Sequence, residues 1–210
     1  MKTYKKLTPL IRLIDDDEMV LGSESFLLRM EGWQTAQYLS AEEFLSKDDS
    51  ERPGCIILDI RMPGLNGMEL QSLMMEKNID LPIIFLTGHG DIDMAVSALK
   101  KGAVDFLVKP ANDERLQEAV KNAVEKNILS RQKNIEHDNM LELYEQLTER
   151  EKDIAPMVAN GTANKVIAID LDISENSVNK YRSSILEKLQ VRNIVELTDF
   201  LRQIGKDSVK

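Results

Sequence analysis

Three carboxylates, a hydroxyl and an ammonium stand at the ends of apolar runs in this sequence. Asp15 and Asp16 close LIRLID, Asp59 closes CIILD, Thr87 lies in PIIFLTG and Lys109 in AVDFLVKP. If those runs are strands of one open parallel sheet, the residues just beyond them share its carboxyl edge, where such folds place their ligand crevice. Carboxylates crowded there repel one another and raise their own pKa values unless a cation sits among them. A hard divalent ion bound through oxygen and keeping several waters, Mg²⁺ (or Mn²⁺), resolves the repulsion. Asp59 then has the makings of a nucleophile that forms an acyl phosphate, with the metal and Lys109 neutralising charge on the moving phosphoryl group. The Thr87 hydroxyl is placed to donate to a phosphoryl oxygen, and Gly88 and Gly90 leave room beside it. His89 falls at the mouth of the same edge. Taken singly, each residue reads as well as a solvated loop residue; the combination carries the chemistry.

The elements that must position these residues follow from the same runs. LIRLID, WQTAQY, CIILDI, PIIFLTG and AVDFLVKP alternate with helical patterns, which predicts five strands in a doubly wound parallel sheet. Val20, Leu21, Leu27 and Leu28 predict one apolar helix face, and Ser40 with Glu43 a capping box. Arg12 is awkward in a buried strand and is expected to reach an end of the sheet. From Asp113 to about Gln146 there is neither glycine nor proline, and Leu116, Val120, Val124, Ile128, Ile135, Leu141 and Tyr144 recur among charges, predicting a long helix. Its middle reads as a solvated connector or a short coiled coil. Thr148 with Glu151 opens an all-helical segment in which Ala163 to Leu171, Ser174 to about Leu189, and Asn193 to about Ile204 form further helices.

Composition limits the alternatives. With 210 residues and 42% hydrophobic content, two small domains can each bury a core. No run of about 18 uncharged apolar residues occurs, and the start reaches charge too soon for a secretory segment, so a cytoplasmic protein without membrane partners is expected. Cys55, the sole cysteine, falls in an apolar run and is expected to be a buried thiol. The net charge of −9 is uneven: through Ile128 there are 15 Lys and Arg against 22 Asp and Glu, and thereafter 12 against 14. Within Ser174 to Arg192 the balance is positive, with Lys180, Arg182, Lys188 and Arg192 against Glu175 and Glu187. A DNA backbone responds to such a local patch rather than to the global sum.

IDDDE, LDIRMPGLNG, FLTGHGD and KKGAVDFLVKP, in that order and spacing, resemble the receiver domains of two-component response regulators over about residues 8 to 127. The resemblance implies a CheY/flavodoxin-like fold and a sensor histidine kinase as phosphoryl donor. It makes Asp59 the phosphoacceptor. Asp16 and Asp59 would bind Mg²⁺ with the main-chain carbonyl of Arg61, and Asp15 would act mainly through water. Lys109 would pair with the phosphoryl group beside a cis Pro110 peptide, and Phe106 would turn inward when Thr87 moves, a local charge change biasing a two-state element. Ala111 stands where an aromatic commonly follows the Lys-Pro pair, and Met19 where proline or a small residue is frequent.

LTEREKDIAPMVANGTANKVIAIDLDISENSVNKYRSSILEKLQV resembles the four-helix helix-turn-helix domain of the LuxR/NarL family, and together with TGHGD points to the FixJ-type subfamily. The organisation expected is therefore a receiver over 1–127, a helical linker over 128–146 and a DNA-binding domain over 147–210. On the third helix of that domain Val178, Ile185 and Leu189 should be core, and Asn176, Asn179, Lys180 and Ser183 should face the major groove. By the family match Asn179, Lys180 and Ser183 read bases, Asn suiting adenine and Lys guanine. Lys165, Tyr181, Arg182, Lys188 and Arg192 would contact phosphates. Asn179 replaces a commonly basic residue and Tyr181 a common histidine. Promoter DNA and, for an activator, RNA polymerase are the implied partners. A homodimer formed on phosphorylation through Met94, Val96, Leu99 and Phe106 would supply affinity; masking of the DNA-binding residues by the receiver is an equally simple control. No enzymatic activity beyond slow self-hydrolysis is expected, since a haloacid-dehalogenase-type phosphatase has a second acid where Arg61 stands. A phosphorylation-independent or ligand-sensing LuxR-type regulator is the remaining alternative.

Overall fold

Apolar, mostly β-branched and leucine-rich runs build the central strands of the sheet. The computed structural model describes residues 7–88 and 92–206; His89 and Gly90 lie outside the described residues. Five parallel strands, β1 (Leu10–Ile14), β2 (Gln34–Tyr38), β3 (Gly54–Leu58), β4 (Ile83–Thr87) and β5 (Asp105–Val108), are ordered β2-β1-β3-β4-β5. The register pairs Ile14 with both Tyr38 and Leu58, so the ends of the central strands are level at the carboxyl edge. Period-2 alternation divides the core in two. Ile11, Leu13, Cys55, Ile57, Ile84 and Leu86 pack beneath helices α1 (Glu18–Met30) and α5 (Asp113–Glu145). Ile14, Ile56, Leu58, Ile83 and Phe85 pack beneath α2 (Ala41–Lys47), α3 (Gly67–Glu76) and α4 (Ile92–Lys100). The fold is therefore the doubly wound sheet anticipated from the strand pattern.

Several local expectations shift. The buried face of α1 runs through Leu21, Ser25 and Leu28, whereas Leu27 is exposed; Ser25 earns its inward place because its hydroxyl hydrogen-bonds Thr35 Oγ1 at 2.8 Å. Ser40 caps α2 by accepting from the Glu43 N–H, but the Glu43 carboxylate accepts from the Leu39 N–H rather than from Ser40, so the box is shifted by one residue. A reciprocal capping box not anticipated from sequence, Asn66 with Glu69, opens α3. Arg12 is wholly buried and reaches the amino end of the sheet, where it pairs with Asp48 at 3.0 Å and donates to the carbonyls of Leu10, Asp49 and Arg52. Four acceptors of this kind are what a buried guanidinium needs. Cys55 is buried, and burial pushes its thiol up to about 12.

The chain divides into two compact units, one ending at Arg131 and one starting at Gln132. In the first, Asn127 accepts from the Gly54 N–H at 3.1 Å and donates to the Asp80 carbonyl at 3.0 Å, while Arg131 donates to Asp80 and to the Ser50 carbonyl. In the second, Met140, Leu141, Leu143 and Tyr144 pack into a core with α6 (Glu149–Ala159), α7 (Asn164–Asp170), α8 (Glu175–Lys188) and α9 (Ile194–Gln203). Thr148 and Glu151 form the full capping box of α6. No helix among the described residues is long and apolar enough to cross a membrane.

Candidate functional site

The carboxyl edge brings together residues from four strands. Asp15, Asp59 and Thr87 are buried there, Asp16 is exposed, and Lys109 is half-buried just beyond β5. Two main-chain features hold Asp59. A Cβ on Gly67 would meet the Asp59 carbonyl at 2.3 Å, so only glycine lets the start of α3 come this close to the end of β3. Gly64, at φ +75°, makes the intervening turn after Pro63. The Asp59 Oδ2 accepts from the Arg61 N–H at 2.6 Å, and its Oδ1 accepts from Lys109 Nζ at 3.2 Å. Lys109 Nζ also donates to Asp15 Oδ2, while Asp15 Oδ1 accepts from the Asp17 N–H at 3.0 Å. Burial works against the Lys109 charge, but the hydrogen bonds and charges of Asp15 and Asp59 outweigh it and hold the ammonium above its ordinary pKa. The Lys109–Pro110 peptide is cis.

Around this centre, Phe106 is half-buried with its ring centroid 6.2 Å from that of Phe85. Gly88 is exposed, and a Cβ there would meet nothing within 4 Å. One residue was not singled out from sequence. Glu24, half-buried on α1, has its carboxyl pushed up to about 7 by burial, with Lys109 opposing and the charges of Asp15 and Asp59 adding to the rise. Its signal was its spacing: it lies three residues after Leu21 and four before Leu28, on the inward stripe.

The carboxylate donors at this edge are hard oxygens, and two of them, Asp15 and Asp59, bind the one ammonium. Among the described residues no three acidic, histidine or cysteine side chains form a metal cluster by themselves. The exposed Asp16, the buried Asp59, a main-chain carbonyl and water are a set that fits Mg²⁺, which keeps several waters, better than a caged transition metal.

In the helical unit Val178, Ile185 and Leu189 are buried. Asn176, Asn179, Lys180 and Ser183 are exposed on α8, as are Lys165 at the start of α7 and Arg192 after α8. Tyr181, Arg182 and Lys188 are half-buried. Tyr181 packs against the core, and Lys188 Nζ is bound at 2.6 Å by Glu151. Glu151 is buried. Burial raises its pKa, but hydrogen bonds from Lys188, Ser184 and Thr148 win and hold the carboxyl down at about 2. That carboxylate ties α8 to α6, whereas the sequence placed Glu151 only in the cap at the start of α6.

Residues 11–121 match the response regulator receiver domain family, and residues 145–201 match the family of bacterial regulatory proteins, luxR family. The chain belongs to the response regulators that join these two domains. Response regulator protein TodT of Pseudomonas putida is 38% identical over 200 residues, covering 95% of this chain and 88% of its own. Transcriptional regulatory protein FixJ of Rhizobium meliloti is 37% identical over 188 residues, covering 89% of this chain and 92% of its own. A solved structure of response regulator StyR superposes with a TM-score of 0.86 at 36% identity, covering 93% of this chain and 99% of its own. As a response regulator with a LuxR-type domain, the protein is a two-component transcriptional regulator, and phosphorylation-dependent control is the function of its family.

Proposed function

We propose that Asp59 is the residue phosphorylated, by a sensor histidine kinase, and that this controls promoter binding by the helical unit. The placement of Lys109 between Asp15 and Asp59 carries the reading. An Asp59 carboxylate oxygen attacks phosphorus, the new O–P bond forms as the donor's bond to phosphorus breaks, and the ammonium of Lys109 follows the charge onto the phosphoryl oxygens. Asp16, Asp59 and the Arg61 carbonyl would hold Mg²⁺ (or Mn²⁺), with Asp15 reaching it through water; the ion supplies charge neutralisation at the phosphoryl oxygens. Thr87 donates to the phosphoryl group, Gly88 leaves space for it, and Phe106 follows Thr87 inward. Slow self-hydrolysis is the only other reaction assigned.

The receiver role belongs to 1–127, the linker role to 128–146 and DNA binding to 147–210. Asn176, Asn179, Lys180 and Ser183 face the major groove, and Lys165, Tyr181, Arg182, Lys188 and Arg192 fix register on phosphates. Lys188 does so while retained by Glu151, which points it along one direction. Phosphorylation pairs two chains through α4 and β5, where Val96 and Leu99 are exposed apolar residues, and RNA polymerase is engaged at the promoter. The protein acts in the cytoplasm. Selection of duplexes from a random pool, with and without acetyl phosphate and Mg²⁺, tests this: enrichment of one sequence is expected after phosphorylation of the wild type but not of Asp59→Asn. A random outcome in every state would overturn it.

A further inference from the structure

Three side chains link the first turn of α7 to the outer face of α8. Arg182 Nη1 donates to Asn164 Oδ1 at 2.8 Å, and Asn164 Nδ2 donates to Asn179 Oδ1 at 2.6 Å. Asn179 and Arg182 are three apart on α8 and so share a face. The order of donors in this chain is forced from one end. A guanidinium has no acceptor, so the Asn164 oxygen must face Arg182 and its amide nitrogen must face Asn179. An amide nitrogen only donates, so Asn179 must answer with its oxygen. The exposed Asn179 carboxamide is therefore oriented before any DNA arrives: oxygen towards α7, nitrogen away from it, with both amide hydrogens unengaged among the described residues.

We propose that Asn164 is a positioning residue for sequence readout, turning the Asn179 amide nitrogen towards the base edge so that the base pair opposite is selected for a hydrogen-bond acceptor. The inference rests on the major-groove face proposed above and narrows it. A freely rotating asparagine can present either end of its amide; a clamped one presents a fixed polarity. In the major groove the acceptors are purine N7, guanine O6 and thymine O4, and the donors are the amino groups of adenine and cytosine. Lys180 beside it is also a donor only, so adjacent contacts demand acceptors. The expectation that Asn179 suits adenine becomes a narrower one, with N7 and not the 6-amino group as the feature required.

The clamp makes a reversal possible. In Asn164→Asp, one carboxylate oxygen still receives Arg182, but the other faces Asn179 as an acceptor, so Asn179 must turn its nitrogen inward and its oxygen to the DNA. An acid in the first turn of α7 is compatible with the helix dipole. The test is selection from a random duplex pool by the phosphorylated full-length protein, comparing wild type, Asn164→Asp and Asn164→Ala. At one base pair the wild type should enrich an acceptor, Asn164→Asp a donor, with the preference ratio changing about tenfold or more, and Asn164→Ala neither, while other pairs keep their order. The same base order at every pair in all three proteins, even at lower affinity, overturns the proposal. A second measurement needs no variant: replacing the contacted acceptor by carbon in the wild-type site, for purine N7 the 7-deaza base, should weaken binding about tenfold, and no loss there also overturns it. A random outcome in both phosphorylation states would instead overturn the DNA-binding reading itself, which separates the two failures.

Discussion

The Lys109 ammonium lies 3.2 Å from the Asp59 carboxylate although 50 residues separate them in the chain. Through Asp15 the same ammonium also reaches the end of β1. One cation thus neutralises two buried acids drawn from different strands, and a phosphoryl group arriving at Asp59 would compete for it. Lys109→Ala should slow phosphorylation by acetyl phosphate about 100-fold, the size of effect seen when one preorganised donor to a developing anion is removed. The time course of mass gain checks this; an unchanged rate would remove Lys109 from the transfer step.

Acid should loosen the helical unit through Glu151. Its folded carboxyl sits at about 2 against an ordinary value of 4.5, so its contribution is fully present above about 4.5 and is lost as pH falls towards 2. At neutral pH Glu151→Gln should cost roughly 2–4 kcal/mol, because it strands the Lys188 charge against α6. Denaturant unfolding of the full chain at pH 7 and at pH 3, wild type against variant, should show the difference shrinking at the lower pH. A gap that stays constant would place the stabilisation elsewhere.

In the sheet unit the vulnerable pair is Arg12 with Asp48. Asp48→Ala leaves a fully buried guanidinium without its counter-charge, a loss of about 3–5 kcal/mol, although the site is at the opposite edge of the sheet from Asp59. Circular dichroism melts should fall steeply while the folded protein still accepts a phosphoryl group. A melting temperature within a degree of wild type would show that the carbonyls of Leu10, Asp49 and Arg52 suffice.

Contacts to bases and to phosphates should separate by salt. Lys180→Ala should cost about 1–3 kcal/mol on the preferred site and relax one base pair, whereas Lys165→Ala and Arg192→Ala should weaken all duplexes alike and each lower the salt slope by about 1. Fluorescence anisotropy across a salt series distinguishes the two classes. Equal effects of all three substitutions on every duplex would remove Lys180 from base reading.

Much of this was legible from residue patterns because the determinants are short in sequence. The strand ends that carry Asp15, Asp59, Thr87 and Lys109 are local apolar runs, and the helices of the second unit are bounded by Thr148, Ser174 and Asn193, whose caps act within three residues. What remained hidden depends on partners distant in the chain. Arg12 could be assigned to a sheet end, but not to Asp48, 36 residues away. The pairing of Lys188 with Glu151 spans 37 residues, and the polarity of Asn179 is set by Asn164, 15 residues earlier on another helix. Leu27, read as part of the inner face, is exposed, while Ser25 is buried with its hydroxyl bonded to Thr35, 10 residues away.

The most direct measurement is the intact mass of the protein after treatment with acetyl phosphate and Mg²⁺. Wild type should gain the mass of one phosphoryl group, lose it again on standing, and gain none when Asp59 is replaced by Asn. No gain in the wild type, or an equal gain in Asp59→Asn, would contradict the assignment of Asp59 as the acceptor.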